Sequence, residues 1–377
     1  MEYKRLGDYI REVNVRNREL KVTKLVGLTI DKAFIPSVAN VIGTDLSNYK
    51  VIGREQFACS LMQVSRDGKM PVAMFEEDEA IMSPAYPMFE IVDKTELLPK
   101  YLMMWFSRSE FDREASYYAV GGVRGSLTWE DFCNMTLPVP SIERQREIVE
   151  EYETLSRRIS MNEQMIQKLE ATAQALYRKM FVENIDKENL PDGWRIGTIG
   201  EFCKEMKSGG TPNRNHNEYW DKNEYPWLKS GEVHNNVIID VEESISKTGL
   251  DNSSAKMIPE GSIVMAMYGA TAAQVAYLSC ATTTNQACCN MICHSKENAA
   301  YLYFHLLAKQ EDIKKLANGG AQENLSQELI AQQPILLLGD NEKKAMFVPI
   351  LDHQIVLYKE ISKLAELQSL LLAKMGQ

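Results

Sequence analysis

The sequence predicts an α+β protein made of two tandem globular α/β domains, each followed by a long helix. The two helices are expected to pair as an antiparallel coiled coil with pseudo-two-fold symmetry. Three observations predict this. Short apolar runs punctuated by Gly, Pro, Asn and Ser, such as Phe57–Met62 and Ser262–Met267, read as short strands and turns. Two charged stretches carry unbroken heptad patterns. The chain also resembles itself at offsets of 193 to 200 residues.

The duplication rests on matches in the same order. Leu6-Gly7-Asp8-Tyr9 returns as Ile199-Gly200-Glu201-Phe202, and Tyr101-Leu102 as Tyr301-Leu302. Gly121-Gly122 with Leu127-Thr128 returns as Gly319-Gly320 with Leu325-Ser326. Lys168-Leu169, Leu176 and Lys179-Met180 return as Lys363-Leu364, Leu371 and Lys374-Met375. The expected plan is a domain over 1–140, a helix over 141–188, a second domain over 189–340 and a second helix over 341–377.

The first helix starts after Pro138 and Pro140, where Ser141 can cap it, and is expected to run to about 182. Its seam places Leu155, Asn162, Leu169 and Leu176 on d, and Ile159, Ile166, Ala173 and Met180 on a. In the second helix Ile350, Leu357, Leu364 and Leu371 fall on d. Phe347, Gln354, Ile361, Gln368 and Met375 fall on a. Neither helix can bury its stripe alone, so they are expected to pair with one another. The polar seam residues could set register or mark where a third chain docks.

Composition narrows the class. The 377 residues carry 42 basic and 52 acidic side chains, a net charge of −10, which argues against a lone binder of bare DNA. The polar Met1–Arg5 start suggests no signal peptide, and no run of about 18 apolar residues suggests a membrane span. Seven scattered cysteines fit a reducing cytoplasm. No phosphate loop, dinucleotide fingerprint, nucleophile elbow or zincin motif occurs. Cys288, Cys289, Cys293 and His294 suit buried strand positions better than a tetrahedral metal site. Glu342-Lys343-Lys344 after Asp340 is a faint nuclease-like element, common at helix starts. The residues argue for a binding module rather than a catalyst.

At this point the chain resembles the specificity subunit of type I restriction–modification enzymes over essentially its whole length. The second half carries Lys207-Ser-Gly-Gly-Thr-Pro-Asn-Arg214, Glu218-Tyr-Trp220 and Tyr225-Pro-Trp-Leu-Lys-Ser-Gly-Glu232. Met267-Tyr-Gly-Ala-Thr271 and Thr284-Asn-Gln-Ala287 follow. The first half looks like another subclass, with Val26–Ile30, Asp45–Tyr49, Ser83–Tyr86, Gly121–Leu127 and the lead-in Leu137-Pro-Val-Pro-Ser-Ile-Glu-Arg-Gln145. The second helix departs from that lead-in, with Leu336-Leu-Leu-Gly-Asp-Asn-Glu342 in its place.

The resemblance implies a non-catalytic subunit whose domains are target-recognition domains, each reading half of a split, asymmetric double-stranded DNA target. The helices would act as a spacer and hold two methyltransferase subunits, which flip and methylate adenines. Restriction and translocase subunits would add cleavage. S-adenosylmethionine, ATP and Mg would belong to those partners, with no cofactor or metal on this chain. An orphan adaptor that binds partner subunits without restriction is the alternative reading.

Sequence readout needs Arg or Lys facing guanine and Asn or Gln facing adenine, and phosphates take Lys, Arg, Ser, Thr or backbone amides. In the second domain the candidates are Lys207, Ser208, Thr211 and Arg214, in a loop whose glycines would let backbone approach phosphate, then Lys229, Tyr268, Thr271, Gln322 and Asn324. Gly209–Pro212, Tyr219, Trp220 and Trp227 also read as a turn with aromatic packing. In the first domain the candidates are Arg16, Arg18 and Lys21 in the loop corresponding to 207–214, Arg66 and Lys69 in an expected hairpin turn, and Arg124, the match of Gln322.

Overall fold

A computed structural model describes residues 3–37, 43–62, 64–120, 125–183, 185–186, 188–317, 324–339 and 341–376. The chain divides into two compact units, Met1–Arg158 with Leu364–Gln377, and Ile159–Lys363.

The first unit holds strands β1 (Tyr3–Arg5), β2 (Ile10–Glu12), β3 (Val26–Leu28), β4 (Phe34–Pro36), β5 (Lys50–Gly53), β6 (Phe57–Cys59), β7 (Val72–Met74), β8 (Glu79–Met82), β9 (Met88–Ile91) and β10 (Thr136–Pro138). Its helices are α1 (Val64–Asp67), α2 (Pro99–Phe106), α3 (Ser109–Ala119), α4 (Trp129–Asn134) and the start of α5 (Ile142–Arg178). The main sheet has the order β2-β9-β6-β7, antiparallel throughout, and β1 pairs with β10.

The second unit holds β11 (Arg195–Thr198), β12 (Glu205–Ser208), β13 (Tyr225–Leu228), β14 (Asn236–Ile238), β15 (Glu243–Ile245), β16 (Ile263–Ala266), β17 (Val275–Leu278), β18 (Thr283–Thr284), β19 (Cys288–Ile292) and β20 (Pro334–Leu337). Its helices are α6 (Ile199–Phe202), α7 (Lys247–Asp251), α8 (Lys296–Lys315), α9 (Gln327–Ala331), α10 (Glu342–Ala345) and most of α11 (Val348–Lys374). The main sheet has the order β12-β19-β16-β17-β14, and β11 pairs with β20. Strands β16 and β17 are buried throughout, as their uninterrupted apolar runs demand of strands covered on both faces.

The sequence matches become equivalent contacts inside each unit. Tyr101 donates its hydroxyl to the Pro138 carbonyl at 3.1 Å, and Tyr301 donates to that of Leu336 at 3.1 Å, so each ties a helix to the strand pair beside it. Thr128 caps α4 by accepting from the Asp131 amide at 3.0 Å, and Ser326 caps α9 from the Leu329 amide at 3.1 Å. A Cβ on Gly7 would lie 2.9 Å from the Cys133 Cβ, and one on Gly200 would lie 3.2 Å from the Ala331 Cβ. In both cases the glycine admits the same short helix.

Each unit contains a length of both long helices, antiparallel within it. In the first, Gln368 bonds Ser156 at 2.6 Å, while Met375 joins the core beside Ile148 and Val149. Leu364 is half-buried there. Leu155, Leu367, Leu370 and Leu371 border an open groove rimmed by Glu147, Glu150 and Glu151. In the second, Phe347 faces Tyr177 with ring centres 6.5 Å apart, and Tyr358 lies near Glu163 and Glu170. Asn162, Ile166, Ala173, Gln354 and Leu357 are buried; Ile159, Leu169, Leu176, Met180, Ile350 and Ile361 are half-buried. The Arg144 amide donates to Ser141 Oγ at 3.3 Å, and a π-helical turn, Lys179–Glu183, follows α5.

Two details differ from the heptad reading. Tyr177 and Leu351, neither assigned to the seam, are buried, at 3% and 0% exposure. The physical reason is a wider stripe: these turns pack on the aromatic core of their own domain as well as on the partner helix. The second helix is also divided, into α10 and α11, with Phe347 between them.

Candidate nucleic-acid interface

In the second unit the ends of the main sheet gather the motif loops. Strand β12 ends at Ser208, β16 ends at Ala266 and β19 begins at Cys288. Because these strands alternate in direction, all three termini lie at one edge of the sheet. Backbone bonds then weld the loops together. The Gly210 amide donates to the Thr284 carbonyl at 2.8 Å, Asn285 to Leu228 at 2.9 Å, Met267 to Ala287 at 2.8 Å, and Leu325 to Met267 at 2.8 Å. Thr271 Oγ1 reaches the Ser230 carbonyl at 3.1 Å. Five sequence segments, from Gly210 to Leu325, therefore form one surface.

The loop glycines have a structural job. A Cβ on Gly209 would lie 2.1 Å from the Asn285 carbonyl oxygen, and one on Gly210 would lie 2.3 Å from Ser254 Oγ. Both glycines admit neighbouring chain where a side chain would clash. The buried Trp227 donates its indole N–H to the Gly210 carbonyl at 3.0 Å, and its ring meets Trp220 edge-on.

The candidate cations of this loop cluster are partnered. Arg214 lies over Trp220, 3.5 Å from the ring centre, and pairs with Glu243 at 2.6 Å. Lys229 pairs with Glu242 at 2.6 Å and Glu243 at 3.1 Å. The hydrogen bond from Arg214, above all, holds the Glu243 carboxyl below its ordinary pKa; burial opposes it, and the bond from Lys229 adds to the lowering. Bonds to Glu242 and Glu243 raise that of Lys229. Lys207 pairs with Glu205 at 2.9 Å, Ser208 Oγ bonds Gln327 at 2.8 Å, and Thr211 Oγ1 bonds Gln286. Tyr268 is 41% exposed and forms a β-bridge with Asn324. Gln322 lies outside the described residues.

Strand order identifies the corresponding edge in the first unit. Loops follow β2 and β6 and precede β9, as loops follow β12 and β16 and precede β19. Arg16 and Arg18 lie in the first of these, with Lys21 paired to Glu19 at 2.5 Å. Arg16 is pinned by donating to the Asn48 carbonyl at 2.6 Å. Arg66 and Lys69 lie between antiparallel β6 and β7, but Arg66 sits on helix α1, not in a tight hairpin turn. Gly68, at φ +65°, ends that helix. Arg66 pairs with Asp67 at 2.6 Å, and Lys69 with Asp31 at 3.4 Å. Arg124 lies outside the described residues.

Sequence reasoning missed Glu243, which organises two of the candidate cations, and Gln286 on the exposed rim. Gln286 stood inside the quoted Thr284–Ala287 motif; Glu243 had no local signal, because its partners are 29 and 14 residues away. Cys288 and Cys289 are buried in β19, and burial raises both thiol pKa values. Among the described residues no cluster of three or more His, Cys, Asp or Glu side chains could hold a metal ion. No helix among them is long and apolar enough to cross a membrane.

Comparison with known proteins agrees with this architecture. Residues 191–365 match the family model of the type I restriction modification DNA specificity domain. The specificity subunit of the Escherichia coli type I restriction enzyme EcoR124I/EcoR124II is 23% identical over 309 residues, covering 75% of this chain and 72% of that protein. The HindI specificity subunit of Haemophilus influenzae is 23% identical over 358 residues, covering 74% and 77%. The solved type I S subunit from M. genitalium has a TM-score of 0.56 at 14% identity, covering 100% of this chain and 96% of that one, and so shares its fold. Residues 191–365 thus carry the type I restriction modification DNA specificity domain, and the chain is similar over about three quarters of its length to type I restriction–modification specificity subunits.

Proposed function

We propose that this chain reads a bipartite, asymmetric DNA target, one half per globular domain, and positions methyltransferase and restriction subunits for adenine methylation or cleavage. The observation that carries the reading is the gathering of the motif loops at one edge of the main sheet, with loops at the corresponding edge of the other unit. Rigid strands hold such loops in fixed register, as side-chain readout of base edges requires. The paired helices act as the spacer and as the docking site for two methyltransferase subunits. The chain is non-catalytic; S-adenosylmethionine, ATP and Mg belong to the partners.

The charge distribution refines this reading. Net charge is −3 over 1–140, −2 over 141–190, −6 over 191–340 and +1 over 341–377. The acidity lies in the recognition domains, and several of their candidate cations are paired. Phosphate neutralisation therefore comes largely from the partners.

Methylome sequencing of cells with and without the gene tests the proposal. The expected result is an asymmetric, interrupted, adenine-methylated motif that disappears on deletion. A continuous palindrome, or an unchanged methylome, overturns it; an unchanged methylome with partner binding intact favours an adaptor.

A further inference from the structure

The two units present different chemistry at equivalent places. The Leu127 amide donates to the Leu61 carbonyl at 2.9 Å, just as Leu325 donates to Met267 at 2.8 Å. This matched bond makes Met62 the counterpart of Tyr268. A second match aligns the helices: Asp112 on α3 accepts from the Met70 amide at 3.0 Å, and Gln310 on α8 donates to the Ala273 carbonyl at 3.1 Å. Each bond anchors the loop that follows the equivalent strand, β6 or β16.

With α3 in the place of α8, their C-terminal ends correspond. Helix α8 ends in Lys314 and Lys315. Near the end of helix α3 stand Tyr117, 77% exposed, and Tyr118 edge-on to it, with Val120, 76% exposed, directly after the helix, while Met62 is 60% exposed. The core does not need them, since Phe111, Ala115 and Ala119 supply the buried face of α3. Isolated exposed apolar residues are ordinary, but here Met62 directly precedes the segment that leads into α1, and α1 packs on α3. Lysines can neutralise phosphates, whereas apolar side chains at a major-groove edge can recognise the thymine methyl group.

We propose that Met62, Tyr117 and Val120 form an apolar reading surface that contacts thymine methyl groups in the half-target of the first domain. The proposal rests on the specificity reading above and adds the determinant and its chemistry.

The test uses the complete methyltransferase complex and duplexes carrying the motif found in the methylome. Each thymine is replaced in turn by deoxyuridine, which removes only the methyl group. Uracil at one or more positions of one half-target should raise KM about tenfold. The double variant Met62→Ala, Tyr117→Ala should bind the thymine duplex as weakly as wild type binds the uracil duplex. It should lose the preference in that half and keep wild-type behaviour in the other. Tyr117→Phe should retain the preference, and unchanged urea midpoints would confirm intact folding. Equal wild-type KM on thymine and uracil duplexes, or a double variant that keeps the preference, overturns this proposal alone. Absence of any methylated motif in wild-type cells overturns the specificity reading and this proposal with it.

Discussion

Arg214 lies over Trp220, its guanidinium carbon 3.5 Å from the ring centre, while Glu243 holds one of its nitrogens at 2.6 Å. The arrangement braces the loop after β12 and determines which face of Arg214 remains available. Arg214→Lys keeps the charge but loses the guanidinium group that lies over the ring. It should weaken methylation by the assembled complex with little change in the salt dependence of DNA binding, measured as KM across a salt titration.

Glu243→Gln removes the counter-charge shared by Arg214 and Lys229. The folded carboxyl has a lowered pKa, so its contribution is present above the unfolded value, about 4.3, and is lost as pH falls through the folded value. Urea midpoints should therefore fall between pH 5 and pH 3 more in wild type than in Glu243→Gln. At neutral pH the variant should lose about 1 kcal/mol or less.

His305 is buried against Tyr177, whose hydroxyl lies 2.6 Å from Nδ1. Burial pushes the imidazole pKa down to about 3. The unfolded chain binds the proton near pH 6.5 and the folded chain does not, so stability is full above pH 6.5 and declines below it. Urea denaturation at pH 5 should show about 2 kcal/mol less stability than at pH 7.5 from this group. His305→Gln should remove that difference.

Gln145 explains the lead-in to α5. Its amide donates to the Glu96 and Pro140 carbonyls at 2.8 and 2.9 Å and accepts from the Leu98 amide at 2.9 Å. Gln145→Leu strands these buried groups and should cost about 1–3 kcal/mol in urea unfolding of the first unit. Phe347→Ala empties a pocket lined by Tyr177, Phe181, Tyr301 and Phe304 in the second unit, and should cost about 3–5 kcal/mol by the same measurement.

The isolated chain should bind DNA weakly at physiological salt, and adding methyltransferase subunits should restore tight, specific binding, measured by fluorescence anisotropy. Tight specific binding by the chain alone would contradict the charge argument.

Local pattern determined much of this protein. Heptad spacing marks α5 and α11, because a helix must bury whatever stripe it repeats. The repeated Tyr, Gly and Thr or Ser positions reveal the duplication, because each performs a contact that both units need. Tertiary structure decided what one-dimensional spacing cannot carry. It joined Arg214 to Glu243, made the loop glycines sites of chain packing, and aligned Met62 with Tyr268 through a backbone bond that leaves no mark on side-chain identity. The reason is physical: a strand edge collects loops from distant sequence, and hydrogen-bond geometry, not residue type, sets which of them meet.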